Sequence, residues 1–510
     1  MKKVWKVTCT VAIAFALAIA SVPGYGQSVE EIQRNYPGLV ADGVLSYIYG
    51  YPLMMYGVTG RTGTFVPDAM TRLGAAPLNQ FGKEMVLPNA SFTAVVLPST
   101  STLYTSSFLN LCEEPIILHL PNFGSRFFLM QMLDGWTEVS SFSPGSNKQS
   151  REGNYALVGP ACNGREQPLI TIPVRETIHI PTSSMWIIGR IYTSGSDKDV
   201  QDVIDNLYPG LTLTPLSKFK FGETFVPPDH LGVQPLGDVV TPPLKQVAGM
   251  DACAFFQNLA AMMNYNLPIL GQDDLVLPSL LRIGLVKKNT DPTKGSVPIT
   301  GTNFDCTEQA GKLQKLQDAV VKAQKLLTFD ATQQTKTGWT VSLDVGVYGR
   351  HYFLRAEVAQ DALGANRKED AVYGYTQNDE DGKALNGTKS YKIHFRRAGL
   401  NQGIPPVNPG GFWSLTIYDE AGKLVPSPDA TVQWNAAGMP MVQNHSVSLN
   451  NDGSLDLYLQ PTAPPDGSKE KRNWIPTPNT TGKYIAFLRM YWPDDKIQDG
   501  SWIPPGIQKN

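Results

Sequence analysis

Residues 126–137 read RFFLMQMLDGWT. The eight residues to Leu133 form a strand-type run, apolar or aromatic at every place but Arg126 and Gln131, and Asp134-Gly135-Trp136 then breaks it. A run of that length bounded by Gly reads as a strand. Working outward, the same texture recurs at FTAVVL (92–97), IILHL (116–120), YALVG (155–159) and MWIIGRIY (185–192). Pro121, Pro144, Gly145, Gly153 and Pro181 punctuate these runs. The pattern predicts an antiparallel sheet or barrel from about 85 to 195. It returns near the end at YKIHF (391–395), FWSLTIYD (412–419), LYLQ (457–460) and YIAFLRMYW (484–492), with hairpin turns at Asp419–Gly422 and Asn450–Gly453.

Helical periodicity lies before and between these regions. Residues 31–57 repeat apolar positions at Val40, Val44, Tyr47 and Ile48, and Tyr51-Pro52 is expected to close that helix. After a Pro-rich stretch at 226–243, Ala252–Met263, Thr307–Phe329 and Arg355–Tyr373 are further candidate helices. In the second of these, Leu313, Leu316, Val320, Ala323 and Leu327 share one stripe.

The chain has 510 residues, 42% of them hydrophobic and only 17% charged, with 46 Gly and 39 Pro. That composition favours short strands and many turns over coiled coils or disorder. With 43 Lys+Arg against 45 Asp+Glu, no basic surplus exists to neutralise a phosphate backbone, so nucleic acid is disfavoured as a partner. Lys2, Lys3 and Lys6, the apolar run Val11–Ala20, and Gly24 and Gly26 before Gln27 read as a secretory signal. Its removal takes three lysines and no acid, moving the net charge from −2 to −5. No later segment is apolar enough to span a bilayer, so the expected location is periplasmic or secreted. Cys112, Cys162, Cys253 and Cys306 remain after cleavage and allow two disulfides in three pairings, of which Cys112–Cys162 with Cys253–Cys306 keeps both bonds local.

Standard catalytic motifs are absent: the sequence has no G-x-S-x-G, P-loop, H-E-x-x-H or dinucleotide fingerprint. Six scattered histidines offer no spaced ligand pair, and neither a metal nor an organic cofactor is expected. The stronger signal is aromatic residues in polar company. Tyr49, Tyr51, Tyr104, Gln131, Trp136 and Arg190 are candidate ligand-binding residues. Rings stack on sugar faces while amides and guanidinium groups take hydroxyls. Asp134 is the candidate general acid or base, and Arg126 the candidate stabiliser of developing negative charge. Trp413, Tyr418, Trp474 and Arg489 have the same character. The alternative is that the rings fill sheet cores and that Arg126, Arg190 and Arg489 make structural ion pairs.

An ordered set of short pieces resembles a bacterial two-domain family, domain of unknown function twelve fifty-four followed by domain of unknown function twelve fourteen. The pieces are Tyr49-Gly-Tyr-Pro52, Thr102-Leu-Tyr104, Arg126…Asp134-Gly-Trp136 and Gly189-Arg190, then Phe412-Trp-Ser-Leu-Thr416, Asn451-Asp-Gly-Ser-Leu455, Asn473-Trp-Ile-Pro476, Leu488-Arg489 and Trp502-x-Pro-Pro505. The resemblance implies an α+β, mainly β protein with two antiparallel β-sandwich or jelly-roll-like domains joined by a helical segment. Together with the texture read above, the expected divisions are a signal at 1–26, a β-rich domain at 27–196, a Pro-rich linker and helical segment at 197–375, and a jelly-roll-like domain at 376–510. By fold analogy it implies a glycan or glycoconjugate ligand, bound or hydrolysed without a cofactor in an inter-domain cleft. A small aromatic or apolar substrate is a further alternative. The family usually carries acids where this chain has Ser101 and Asn110, which favours binding or an envelope-structural role over catalysis.

Overall fold

The computed structural model describes residues 28–66, 69, 75–91, 97–162, 164–227, 237–269, 271–288, 299–327, 333–427, 436–439 and 447–510. The signal segment, the run at 92–96 and the Asn444-His445-Ser446 triplet lie outside them. The architecture is α+β. Helices are α1 (Val29–Asn35), α2 (Leu39–Thr64), α3 (Asp197–Asp202), α4 (Pro243–Ala248), α5 (Ala252–Met263), α6 (Leu277–Ile283), α7 (Ala310–Leu326), α8 (Tyr352–Asp361), α9 (Lys469–Arg472) and α10 (Asp495–Gln498).

The first eight strands are β1 (Gly82–Lys83), β2 (Thr102–Asn110), β3 (Ile116–Leu120), β4 (Phe128–Asp134), β5 (Gly153–Val158), β6 (Glu176–His179), β7 (Ser184–Tyr192) and β8 (Thr212–Pro215). They form two sheets, ordered β1-β2-β7-β4 and β6-β5-β3-β8. Strand alternation explains why both faces of the first sheet are apolar. Leu103, Leu109, Met130, Met132 and Ile187 enter a core shared with Ile116, Leu118 and Leu157 of the second sheet. Phe108, Leu133, Trp186 and Ile188 point the other way, into the helices.

An antiparallel pair, β9 (Val286–Lys288) and β10 (Ile299–Thr302), lies against α5 and α6. The remaining strands are β11 (Gln333–Gln334), β12 (Thr340–Ser342), β13 (Ala371–Thr376), β14 (Tyr391–Phe395), β15 (Val407–Asp419), β16 (Ala436–Met439), β17 (Leu455–Gln460), β18 (Trp474–Pro476), β19 (Tyr484–Pro493) and β20 (Ile507–Lys509). They build a six-stranded sheet, β11-β12-β13-β19-β15-β16, and a four-stranded sheet, β18-β17-β14-β20. Trp413, Leu415 and Leu488 share a core with Ile393, Phe395, Leu457 and Leu459. On the reverse face of the six-stranded sheet, Phe412 and Tyr491 meet Phe127 and Leu129 of the first half. The two halves therefore touch back to back across an aromatic seam.

Two expectations about helices are corrected. Pro52 does not end the first helix: α2 runs through it to Thr64. Proline removes one N–H and strains one turn, but α2 is sheathed by α4, α5, α6, α7 and α8, and burial of Tyr47, Leu53, Met54 and Val58 holds the helix together. The expected helix at 355–373 stops at Asp361, and Ala371 onward pairs with β19 as a strand. The division by composition also shifts. Strand β8 completes the first half's second sheet, β11 to β13 belong to the C-terminal sheet, and α2 belongs to the helical layer.

The cysteines bond as Cys112–Cys162 and Cys253–Cys306, the local pairing. Among the described residues no helix is long and apolar enough to cross a membrane.

Candidate functional site

The eight candidate catalytic and ligand-binding residues fall in four places rather than one cleft. Arg126 lies at the end of the seam, just before β4. Its guanidinium donates to Asp199 at 2.6 and 3.0 Å and to Asp202 at 2.9 Å. This trio forms part of the wall of a groove of about 860 Å³ whose opposite wall is Asn408–Phe412 at the start of β15. Tyr192, half-buried, supplies a ring; Asn122 and Asn206, both exposed, supply amides. The Arg126 guanidinium and the Ser194 N–H hold Asp199 down to about 2 against the opposing effect of burial, so Asp199 stays ionised.

Asp134, Trp136 and Tyr49 do meet, but inside the molecule. Asp134 is 3% exposed, and Tyr49 and Trp136 are fully buried. The Asp134 carboxylate closes the turn after β4 by accepting the N–H groups of Trp136 and Glu138, at 2.8 and 3.0 Å. Burial, with Glu138 adding to it, pushes Asp134 up to about 7. What gathers these side chains is Arg355 of α8, which has no exposed surface. It sits over the rings of Tyr49, Trp136 and Tyr352 at 5.3, 5.5 and 5.5 Å. Glu138 and Asp273 lie 3.8 Å from it. Tyr49 donates to Asp273 at 2.9 Å. The expectation that Asp134, Tyr49 and Trp136 line a cleft with Arg126 is therefore corrected: the bulky rings favour the dry side of the turn, and Arg355 compensates the acids there. Sequence reasoning missed Arg355, Glu138 and Asp273, which no spacing connects.

Tyr51 is 2% exposed and packs in the helical core, its ring 5.7 Å from Tyr47, so it faces no cleft.

Tyr104, Gln131 and Arg190 come together on the back of the first sheet. Antiparallel register puts Tyr104 and Leu129 on either side of Arg190. Gln131 donates to the carbonyls of Gly364 and Ala365 and accepts from Arg190 at 2.5 Å. Facing them from the six-stranded sheet are Tyr373, Arg489 and Tyr491, held on one face by the β13–β19 register. Arg489 donates to the Leu97 carbonyl at 2.7 Å and lies 4.3 Å from the centre of the Phe487 ring and 5.6 Å from that of Tyr418. Tyr373 was not singled out, nor was Tyr491 as a candidate site residue; their alternation in β13 and β19 was the available signal.

Ser101 is fully buried with no partner for its hydroxyl, and Asn110 ends β2 by accepting the Cys112 N–H.

Residues 78–215 match a family model described as Protein of unknown function (DUF1254), and residues 370–495 one described as Protein of unknown function (DUF1214). No curated protein matches the chain. Among solved structures, the VPA0106 protein from Vibrio parahaemolyticus is similar over 93% of this chain and 100% of its own, with 19% identity and a TM-score of 0.62, a likeness of fold. A putative uncharacterized protein from Burkholderia cenocepacia aligns over 94% of this chain and 92% of its own at 9% identity and a TM-score of 0.38.

Proposed function

We propose, on the premise that this chain belongs to the two-domain family joining DUF1254 to DUF1214, that it is an exported protein that binds a polyhydroxylated ligand of the glycan class in the groove along the seam. The observation that carries this is the groove itself. About 860 Å³ between the halves combines the ring of Tyr192 with amides from Asn122, Asn206 and Asn408 and the fixed Arg126–Asp199–Asp202 trio. A ring for the apolar face of a sugar, and oriented amides and carboxylates for its hydroxyls, is the chemistry such ligands need. Pairs of sheets closing on one core in each half support reading both as β-sandwiches, the second jelly-roll-like. Two disulfides fit an oxidising compartment and support export.

Binding is favoured over hydrolysis. A glycosidic acid must be protonated at working pH, with a second carboxylate across the bond. Asp199 is held ionised, and Asp134, whose raised value suits an acid, is sealed beneath Trp136.

The test is a thermal-shift and calorimetric titration of the mature protein with neutral oligosaccharides, repeated on Tyr192→Ala and Asn408→Ala. Saturable stabilisation that both variants weaken supports the reading. Absence of any response, or an unchanged response in Tyr192→Ala, would sink it. Sequencing the amino terminus of the periplasmic form should give Gln27 first.

A further inference from the structure

Arg190 and Arg489 are 6% and 4% exposed, and among the described residues neither has a carboxylate within ion-pairing distance. Arg190 donates to Gln131 at 2.5 Å and to the Ile188 carbonyl at 3.4 Å, and its Nε has no partner. Arg489 donates to the Leu97 carbonyl and, at 3.5 Å, to the Thr416 hydroxyl. All these acceptors are neutral. The two guanidinium groups act on the same three tyrosines, Tyr104, Tyr373 and Tyr491, so they face one space. Burial pushes those hydroxyls up, which keeps them neutral donors rather than counter-ions. The closest acid to Tyr104, Glu84, accepts the Tyr104 N–H, and burial pushes it up to about 8, so it is mostly protonated at neutral pH.

Arginine does not shed its proton in a protein. Two guanidinium charges out of water, without an anion, are therefore costly. The rings of Tyr104, Tyr418 and Phe487 meet part of that cost. Tyr104 and Tyr373 are half-buried although both sheets enclose them. The hydroxyl of Ser414, directly opposite Arg489 in the β15–β19 register, is buried with no partner.

We infer that the interface between the two sheets is a binding site for a doubly charged oxyanion group, held between Arg190 and Arg489 and capped by tyrosine hydroxyls. Paired guanidinium forks and hydroxyl donors with no competing carboxylate suit phosphate, sulfate or a dicarboxylate. The inference stands apart from the groove reading, since that site holds its own acids and takes a neutral ligand.

The experiment titrates the mature protein at millimolar concentrations of sodium sulfate, sodium phosphate and sodium succinate, against sodium chloride at matched ionic strength, with melting temperature and calorimetry as readouts. Low concentrations separate binding from the general salting effect of sulfate. The expected result is a saturable rise in Tm with at least one of the three, and binding weakened roughly tenfold or more in Arg190→Met and in Arg489→Met. In chloride both variants should melt no lower than the wild type, because a buried uncompensated charge has gone. Ser414→Asp, which installs a carboxylate opposite Arg489, should fold and lose the response. A wild-type response to all three anions no different from chloride overturns the proposal, even if no variant folds. So does a response that survives in the methionine variants or in Ser414→Asp.

Discussion

Asp134 shows how far one residue can be read alone. Its position past a strand end, beside Gly135 and Trp136, marked it as special, and its environment gives it a structural role, in which it accepts two backbone N–H groups and closes a turn. Its folded value, about 7, lies above its ordinary 3.8. The folded state therefore holds a proton that the unfolded chain releases between those values. The stability tied to that proton is complete below about pH 4 and is lost as pH rises through 7, with a slope of at most about 1.4 kcal/mol per pH unit. Asp134→Asn keeps an acceptor for the turn and cannot ionise. It should match the wild type in urea unfolding near pH 4 and exceed it at pH 8; parallel pH profiles would refute this. The cluster behind it, in which Arg355 approaches Glu138 and Asp273, was not legible, because an approach of positions 138 and 355 leaves no mark in local pattern.

At the scale of an element, α2 is the informative case. Its apolar, periodic start was legible, but its continuation through Pro52 was not, since proline argues locally for a stop. Neighbours approach it at glycines. A Cβ on Gly43 would come within 2.6 Å of the Ala319 Cβ on α7, where nothing flexible can give way. On Gly57 the nearest atoms belong to the end of the Met262 side chain, which can move. Alanine gains about 1 kcal/mol over glycine in a helix, yet overpacking a rigid contact costs about 1–3 kcal/mol. Denaturant melts should show Gly43→Ala destabilised and Gly57→Ala neutral or better; the reverse order would contradict the packing argument.

At the scale of the whole molecule, the seam makes two sheet-built halves into one body. Phe412 is central: its ring centroid lies 5.3 Å from that of Phe127, 4.6 Å from Tyr192 and 4.5 Å from Tyr491. Removing a buried aromatic typically costs about 3–5 kcal/mol. Phe412→Ala should lose stability of that order, and calorimetry of the wild type should give one cooperative transition. Two separated transitions, with only the C-terminal one moved by Phe412→Ala, would mean that the halves fold independently.

The sequence alone determined the strand-rich texture at both ends, the helices α5 and α7, and a choice of cysteine pairings that included the one formed. Each of these is a local matter of side-chain period, turn residues or short loop closure. Only the tertiary structure decided that α2 ignores its proline, that 355–373 splits into helix and strand, and that the polar aromatics divide among a groove, a sealed acid cluster, the helical core and a pair of buried arginines. Those outcomes depend on contacts such as Tyr49 with Asp273 and Arg489 with Leu97, 224 and 392 residues apart along the chain. Burial and charge compensation are properties of whatever the fold places alongside a residue, and no periodicity in its own neighbourhood encodes them.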